Sequence, residues 1–369
     1  MKSCIFYLPY ELDPIGNRAR MLRPRKMIQA FEDIGYEVYV IQGYSDERRK
    51  KIQEIKDLIK NGTKFSFMYS EANTEPTLLT DPNHLPTHPF LDFGFFKYIR
   101  KQGIPIGLFY GDIFWKFDTY GTHLSPIKRW VAKRFYEYDI IEYRKYLSKL
   151  YLPDLEMLDF LHETKLRPIA EELPPGADNL SCEVSINLHR DFSEKPLQLF
   201  YVGGIGGTYQ NIELIRAASE MENVEMTICC RKDDWQKQKD TISPYLNDSI
   251  HIIHESSAAL DPYYAQADIC CLLFEPSVYM RFAKPFKAFE YLGHERPIVA
   301  TRGTSLGTFV QKEDIGWTID YAYESIRSFL NNILSNPADL TKKTNNAHQA
   351  KKNNLWISRA EQVEKGLLP

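Results

Sequence analysis

Lys287 and Glu290 stand three residues apart in the stretch AKPFKAFEYLGHERPIVAT, residues 283–301, and give this chain its clearest candidate chemistry. On a helix that spacing puts both side chains on one face. The lysine would offset an anion, and the glutamate would accept hydrogen bonds from hydroxyls such as those of a sugar. Lys284, Pro285 and Phe286 mark the helix start, where unpaired N–H groups hold a phosphate or another anion. Taken alone, a solvated surface pair is the plainer reading. The pattern around the pair is an αβ unit. Pro285 suits a first helical turn, and Phe286, Phe289 and Leu292 supply an apolar face. Gly293 and Pro297 punctuate the end, and Ile298–Val299–Ala300 reads as a core strand.

Further candidates fall at the ends of other apolar runs. Gly203, Gly204, Gly206 and Gly207, interrupted by Ile205, follow a strand and open a helix, so the backbone there approaches a phosphate closely. A tight turn is the alternative. The spacing fits neither a dinucleotide fingerprint, whose third glycine would fall at Tyr209, nor a Walker A loop. Arg231 follows VEMTICC and Glu275 follows ADICCLLF, both at carboxyl ends of strands, where α/β proteins bind ligands.

In the first half, Arg18, Arg20, Arg23, Arg25 and Lys26 crowd into nine residues after the first strand. Cations oppose the dipole of a helix start, so they call for another reason. Gly16, Asn17, Arg18 and Arg23 are the candidate acceptor- or phosphate-binding set, with a solvated basic helix start as the alternative. The long loop 71–90 carries four prolines with His84 and His88, and such loops are commonly functional. His88 is a candidate for proton transfer, against a histidine that only packs in the loop. Asp112 ends the run IPIGLFYGD, as a catalytic residue or a turn former.

Composition narrows the class. The 369 residues are 43% apolar and 26% charged with net charge −3, ordinary for a globular protein with room for two domains, and the charge balance gives no sign of a nucleic-acid partner. The 23 tyrosines suggest polar grooves. The six cysteines show no CxxC spacing, which points to buried reduced thiols in a cytoplasmic protein and to no metal site. No signal peptide or membrane span is expected. The segment SPIKRWVAKRF groups Lys128, Arg129, Lys133 and Arg134 with Trp130 and Phe135, which leaves open a peripheral contact with a membrane or a solvated helix.

The elements that must position these residues alternate strand and helix. SCIFYL, YEVYVIQG, KFSFMYSE, IPIGLFYGD and residues 149–152 read as strands, separated by helices over 23–35, 45–61, 91–102 and 125–147. After the break at LPPGAD, residues 173–178, the register restarts with strands LQLFYVGG, VEMTICC, SIHIIHE, ADICCLLF, IVA and IGWTID. Helices are expected over 209–220, 233–245 and 258–266. The expected fold is α/β, two doubly wound Rossmann-like domains facing across a cleft. The first spans 1–175 with a C-terminal helix, 354–369, crossing back to it; the second spans 176–353.

The series LPPGAD, YVGGIGG, ADICCLLFEPS, KAFEYLGHERPIVAT and IGWTID, closed by NNLWISRAEQVEKGLL, resembles the retaining GT-B glycosyltransferases, especially family 4. The segment around Glu290 is similar to the family's E-[AY]-[ML]-A-x-G-x-P-[VI]-[VI]-A. The resemblance implies transfer of a hexose-type sugar from a nucleotide-diphosphate sugar to a glycan or lipid-linked acceptor, in polysaccharide or glycoconjugate biosynthesis, with no further cofactor. It implies that Glu290 binds the donor ribose, that Gly203–Gly207 and Lys284–Phe286 hold the diphosphate, and that Lys287 and Arg231 offset its charge. No Asp-x-Asp occurs, in keeping with metal-independent members of that fold. Two positions depart from the family. Phe282 stands eight residues before Glu290, where an acidic residue contacts the transferred sugar, and GGTYQNIEL lacks the usual cations. A non-catalytic binding homologue and a sugar-nucleotide epimerase therefore stay open.

Overall fold

The computed structural model of the protein describes residues 2–14, 16, 19–180, 192–207, 209 and 211–368. The chain divides into two compact units, Met1–Pro175 with Trp356–Pro369, and Gly176–Leu355. Each is a twisted parallel sheet of six strands with flanking helices.

The first unit runs β1 (Lys2–Tyr7), α1 (Ala19–Asp33), β2 (Tyr36–Ile41), α2 (Ser45–Lys60), β3 (Met68–Glu71), α3 (Leu91–Lys101), β4 (Ile106–Phe109), α4 (Pro126–Tyr146), β5 (Lys149–Leu152), α5 (Met157–Leu161) and β6 (Ala170–Glu172). Its strand order is β2-β1-β3-β4-β5-β6, so the order reverses between β1 and β3. The second unit continues with β7 (Leu197–Val202), α6 (Ile212–Ser219), β8 (Val224–Cys229), α7 (Lys232–Ile242), β9 (Ile250–Ile253), α8 (Asp261–Gln266) and β10 (Ile269–Leu272). It ends with α9 (Phe286–Gly293), β11 (Ile298–Thr301), α10 (Ser305–Lys312), β12 (Gly316–Ile319), α11 (Tyr323–Ser335) and α12 (Pro337–Asn353). The order here is β12-β11-β10-β7-β8-β9, reversing between β7 and β10. The last helix, α13 (Trp356–Leu367), belongs to the first unit, where it packs on α1.

This bears out the α/β, doubly wound expectation. Differences lie at the edges of elements. α1 begins four residues before Arg23, although Pro24 removes one of its N–H donors. That loss exposes the Arg20 carbonyl, and the Tyr10 hydroxyl donates to it at 3.3 Å. β3 starts at Met68 and not at Lys64. Ser66 N and Phe67 O already bond to β1, at 2.8 and 3.1 Å, but outside the ladder register. The helix expected over 258–266 is split into a 3₁₀ turn, Ser257–Leu260, and α8.

The tyrosines are a correction. Tyr7, Tyr69, Tyr110, Tyr143, Tyr151, Tyr201, Tyr264 and Tyr291 are among the largest fully buried side chains, so the excess fills cores instead of lining grooves. Several keep the hydroxyl satisfied: Tyr69 donates to Glu71 at 2.9 Å and Tyr110 accepts from Trp115 at 2.8 Å. Cys4, Cys229, Cys230, Cys270 and Cys271 are free and buried, and burial pushes Cys230 up to about 11 and Cys271 to about 12, which makes them poor nucleophiles. Cys182 lies outside the described residues. Among the described residues no helix is long and apolar enough to cross a membrane.

The long loop 71–90 is held by buried polar ties, not left slack. Asp81 accepts from Ser45 N at 2.8 Å and Ser45 Oγ at 2.6 Å. Asp139, on α4, accepts from Thr77 N at 2.8 Å, while its second oxygen has no partner. Burial pushes the Asp139 carboxyl up to about 8, against the Thr77 hydrogen bonds and with Asp92 and Glu142 adding to the rise. The folded chain thus holds a proton at Asp139 that the unfolded chain releases near an ordinary carboxyl pKa. Stability should fall as pH rises from about 4 to about 8, by roughly 1 kcal/mol per pH unit from this group. Asn at this position keeps the acceptor for Thr77 N. Urea denaturation of wild type and Asp139→Asn across that range should show the difference between them shrinking or reversing toward high pH. Parallel pH profiles would remove Asp139 as the cause.

Candidate functional site

In the second unit the loops after β7 and β10 flank the point where strand order reverses, the usual ligand crevice of a doubly wound sheet. The glycine loop follows β7. Gly203 N donates to Cys229 O at 3.0 Å, the Tyr201 hydroxyl reaches Gly204 O at 2.5 Å, and Gly206 and Tyr209 exchange backbone bonds at 3.1 and 3.2 Å. The turn is therefore closed on itself. After β10, Phe274 is clamped to β11: its N–H donates to Thr301 Oγ1 at 2.9 Å, and that hydroxyl donates to Phe274 O at 2.8 Å. Glu275 follows, exposed, at the carboxyl end of β10, as Arg231 does after β8, where it precedes α7.

α9 is positioned from both sides. The Tyr291 hydroxyl accepts from Val202 N at 2.9 Å, which ties the helix to the end of β7 beside the glycine loop. Gly293 lies so close to the crossing segment that a Cβ would stand 3.1 Å from Asp178 O, and a side chain there would push the helix off that backbone. Pro285 is the N-cap, φ −61° and ψ 137°, one residue before the first turn it was expected to enter, and no side chain caps the helix. Of the expected apolar face, Phe289 and Leu292 are buried and Phe286 is half-buried, as is Lys284.

Lys287 and Glu290 meet as the spacing predicts, Nζ to Oε2 at 3.1 Å, with side chains 33% and 29% exposed. Half-buried beside the crevice, they are neither sealed in the core nor fully solvated. Behind Glu290, the Tyr264 hydroxyl is buried within reach of the Glu290 carboxylate. Burial first, then the Glu290 charge, pushes this phenol far up. Phe282 is 2% exposed, its ring 5.3 Å from Tyr279, so the position offers no polar group to a ligand.

In the first unit the corresponding switch lies between β1 and β3. Arg23 was expected to face a phosphate there. It is instead turned inward, 5% exposed, with Nε 3.2 Å from Glu71 Oε1 and its guanidinium 3.5 Å from the Phe109 ring centroid and 5.8 Å from that of Trp356. The pull of a buried carboxylate and two aromatic faces outweighs exposure for this one arginine. Arg25 holds the loop before α1, donating to Asp13 O at 3.2 Å, to Pro14 O and to Gly16 O at 2.6 Å. Gly16 is thus fixed by its carbonyl, while Asn17 and Arg18 lie outside the described residues. His88 Nε2 lies 2.9 Å from Asp46 Oδ1, a pairing that fixes the orientation of the imidazole. His84 takes a left-handed backbone, φ 51°, and its Nδ1 lies 3.1 Å from Leu79 O. Asp112 accepts from Phe114 N at 2.7 Å and so starts a 3₁₀ turn, Phe114–Lys116, at the carboxyl end of β4. Among the described residues no group of three His, Cys, Asp or Glu is placed to hold a metal ion.

No protein-family model matches the chain, and no curated protein matches its sequence. Solved structures do match its fold. Sucrose-phosphate synthase from Thermosynechococcus elongatus aligns with TM-score 0.65 at 13% identity, over 99% of this chain and 98% of that one. The Anabaena protein HepE, in complex with UDP and glucose, aligns with TM-score 0.62 at 12% identity, over 99% of each chain. WaaG, a glycosyltransferase involved in lipopolysaccharide biosynthesis, aligns with TM-score 0.58 at 13% identity, over 98% of this chain and 99% of that one. The shared feature is the GT-B type of fold.

Sequence reasoning misses three contributors on this fold. Tyr291 and Thr301 act through backbone bonds that no spacing announces. Tyr264 lies on a neighbouring helix with nothing local to mark it. The glycine loop invites a direct check, because Gly206 has φ +84° and a Cβ there would stand 2.4 Å from Gln238 Nε2. Gly206→Ala should destabilise the chain by more than the about 1–2 kcal/mol that a left-handed non-glycine residue ordinarily costs, because the Gln238 side chain must also shift. Gly207→Ala, φ +60° with open space around it, should cost the backbone term alone. Calorimetry of the two variants measures the difference. Equal melting temperatures would mean that Gln238 does not confine the turn.

Proposed function

We propose that the chain is a retaining glycosyltransferase that moves a hexose-type sugar from a nucleotide-diphosphate sugar to a glycan or lipid-linked acceptor in the cytoplasm, in polysaccharide or glycoconjugate biosynthesis, without a divalent metal. The observation that carries this reading is the Lys287–Glu290 pair on α9, fastened beside the glycine loop at the β7/β10 switch. The fold it shares with HepE, solved with UDP and glucose, and with the glycosyltransferase WaaG supports the choice of ligand class.

In this reading Glu290 accepts hydrogen bonds from the donor ribose. The backbone of Gly203, Gly204, Gly206 and Gly207, with the α9 start at Lys284, Pro285 and Phe286, cradles the diphosphate, while Glu275 lines the donor side. Lys287 and Arg231 offset the charge that grows on the departing diphosphate, which is the main source of acceleration here. His88, oriented by Asp46, and Asp112 handle the acceptor proton; Gly16, Asn17 and Arg18 are assigned to binding the acceptor or a phosphate. Arg23, already paired with Glu71, is left out of the acceptor or phosphate contact.

Calorimetric titration with UDP, GDP and ADP, followed by assay of nucleoside diphosphate release from the matching sugars with a panel of acceptors, tests the reading. Binding of one nucleotide with acceptor-dependent release is expected. Binding without release from any donor favours the second reading, a nucleotide-sugar-binding homologue without turnover, for which the buried Phe282 is the specific observation. No binding of any of the three would sink both.

A further inference from the structure

The exposed apolar side chains are not evenly spread. Ile127 is 76% exposed, Trp130 59% and Ile141 44%, and all three belong to α4. At positions 127, 130 and 141 they fall along one stripe of the helix, with Arg134 between them. The Arg134 guanidinium lies 5.4 Å from the Trp130 ring and pairs with Glu137 at 2.6 Å, so the one acid on the stripe is matched by a cation. Phe114, 45% exposed, extends the apolar surface beside the helix. It is held there because Trp115 stacks on Tyr136 of α4 at 5.0 Å and Arg129 donates to Asp118 O at 2.6 Å.

Charge separates this surface from a random apolar patch. Lys128, Arg129, Lys133 and Arg134 fall in the first nine residues of α4, whose first turn holds no acid. The helix is already started by Ser125, which accepts from Lys128 N at 3.4 Å, and by Pro126. Cations at that end work against the helix dipole, so local helix stability does not account for them. A tryptophan and an isoleucine at the surface, ringed by basic residues, match the boundary of an anionic bilayer. There an indole sits at headgroup depth and lysines meet lipid phosphates.

We propose that this face of α4 docks on an anionic lipid bilayer. Ile127 and Trp130 enter the headgroup layer, Phe114 flanks them, and Lys133 and Arg134 face the lipid phosphates. The proposal extends the transferase reading by naming the surface at which a lipid-linked acceptor is met. Its test needs no turnover, so either can fail without the other.

The experiment is vesicle flotation of the full chain, with phosphatidylcholine alone and with equal parts phosphatidylcholine and phosphatidylglycerol. The chain should float only with the anionic vesicles and should be released by salt. Lys133→Gln with Arg134→Gln should lower the bound fraction's partition constant by roughly tenfold or more, at about 1 kcal/mol per charge near the surface. Ile127→Ser with Trp130→Ser should lower it while leaving the melting temperature and nucleotide titration unchanged, since these side chains face outward. Failure to float with anionic vesicles, equal flotation with both vesicles, or wild-type flotation of both variants would overturn the proposal. So would a dimer in sedimentation that Ile127→Ser with Trp130→Ser dissolves, because the face would then belong to a second copy.

Discussion

Replacing Glu290 with Ala should weaken nucleotide binding about 10- to 100-fold and abolish measurable transfer, while the chain stays folded. The size follows from hydrogen bonds to a charged group, about 1.5–3 kcal/mol when an acceptor is deleted. The fold should hold because the Lys287–Glu290 pair is one-third exposed, and helix pairs of this spacing contribute only about 0.2–0.5 kcal/mol. The experiment compares wild type, Glu290→Ala and Lys287→Ala by titration with whichever of UDP, GDP and ADP the wild type binds. If Glu290 reads the ribose and Lys287 the diphosphate, the first substitution should cut affinity for the nucleoside as well as the diphosphate. The second should cut affinity for the diphosphate alone. If the pair were only surface decoration, both variants would bind within twofold of wild type. Tyr264→Phe adds a finer test. Its buried hydroxyl lies against the Glu290 carboxylate, so removing it should move donor affinity without a large loss of stability.

The contrast between Glu290 and Arg23 explains what a sequence reveals of such a site. Lys287 and Glu290 are three residues apart, so helix geometry alone brings them together, and the strand-end positions of Glu275 and Arg231 follow from alternating apolar runs. Arg23 meets Glu71 across the β1/β3 switch and Phe109 from β4, and both partners are remote in sequence. No local pattern distinguishes it from Arg20 or Arg25, which take other roles. The same rule governs the fold. β5 is an apolar run and is readable to the residue. β6, AEE, is polar and half-buried; it is a strand only because β5 offers it a backbone edge. α10 carries Leu306, Phe309 and Val310 on a readable apolar face, so its position was within reach of periodicity. Phe282 shows the limit from the other side: the sequence marks it as a missing carboxylate, and only the structure shows its ring inside the core.

The largest stability effect should come from Asp92, far from any residue that spacing alone singles out. Asp92 is 1% exposed and accepts from Arg48 Nε at 2.9 Å, from Arg48 Nη2 at 3.2 Å and from the Tyr7 hydroxyl. Arg48, also 1% exposed, uses Nη1 to bond Gly43 O at 2.7 Å and Pro9 O at 3.1 Å. One buried ion pair therefore joins the loops after β1 and β2 to α2 and α3. Asp92→Ala would strand the guanidinium without its countercharge and leave the Tyr7 hydroxyl without an acceptor. Breaking a buried pair from one side costs about 3–5 kcal/mol, a fall in melting temperature of roughly 6–20 °C for a unit of this size. Replacing both charges, Arg48→Met with Asp92→Leu, should recover a substantial part, because the desolvation of two ions disappears with them. Urea denaturation gives the free energies, and hydrogen exchange should place the loss in the loops around Pro9 and Gly43. If Asp92→Ala costs less than about 1 kcal/mol, the pair is dispensable and the hydrophobic core alone holds these loops. If the double replacement is no better than the single one, the Arg48 bonds to Pro9 O and Gly43 O, not the charge pair, are what the first unit depends on. In that case Arg48→Met alone should match the loss in Asp92→Ala, whereas a true pair makes either single substitution worse than both together.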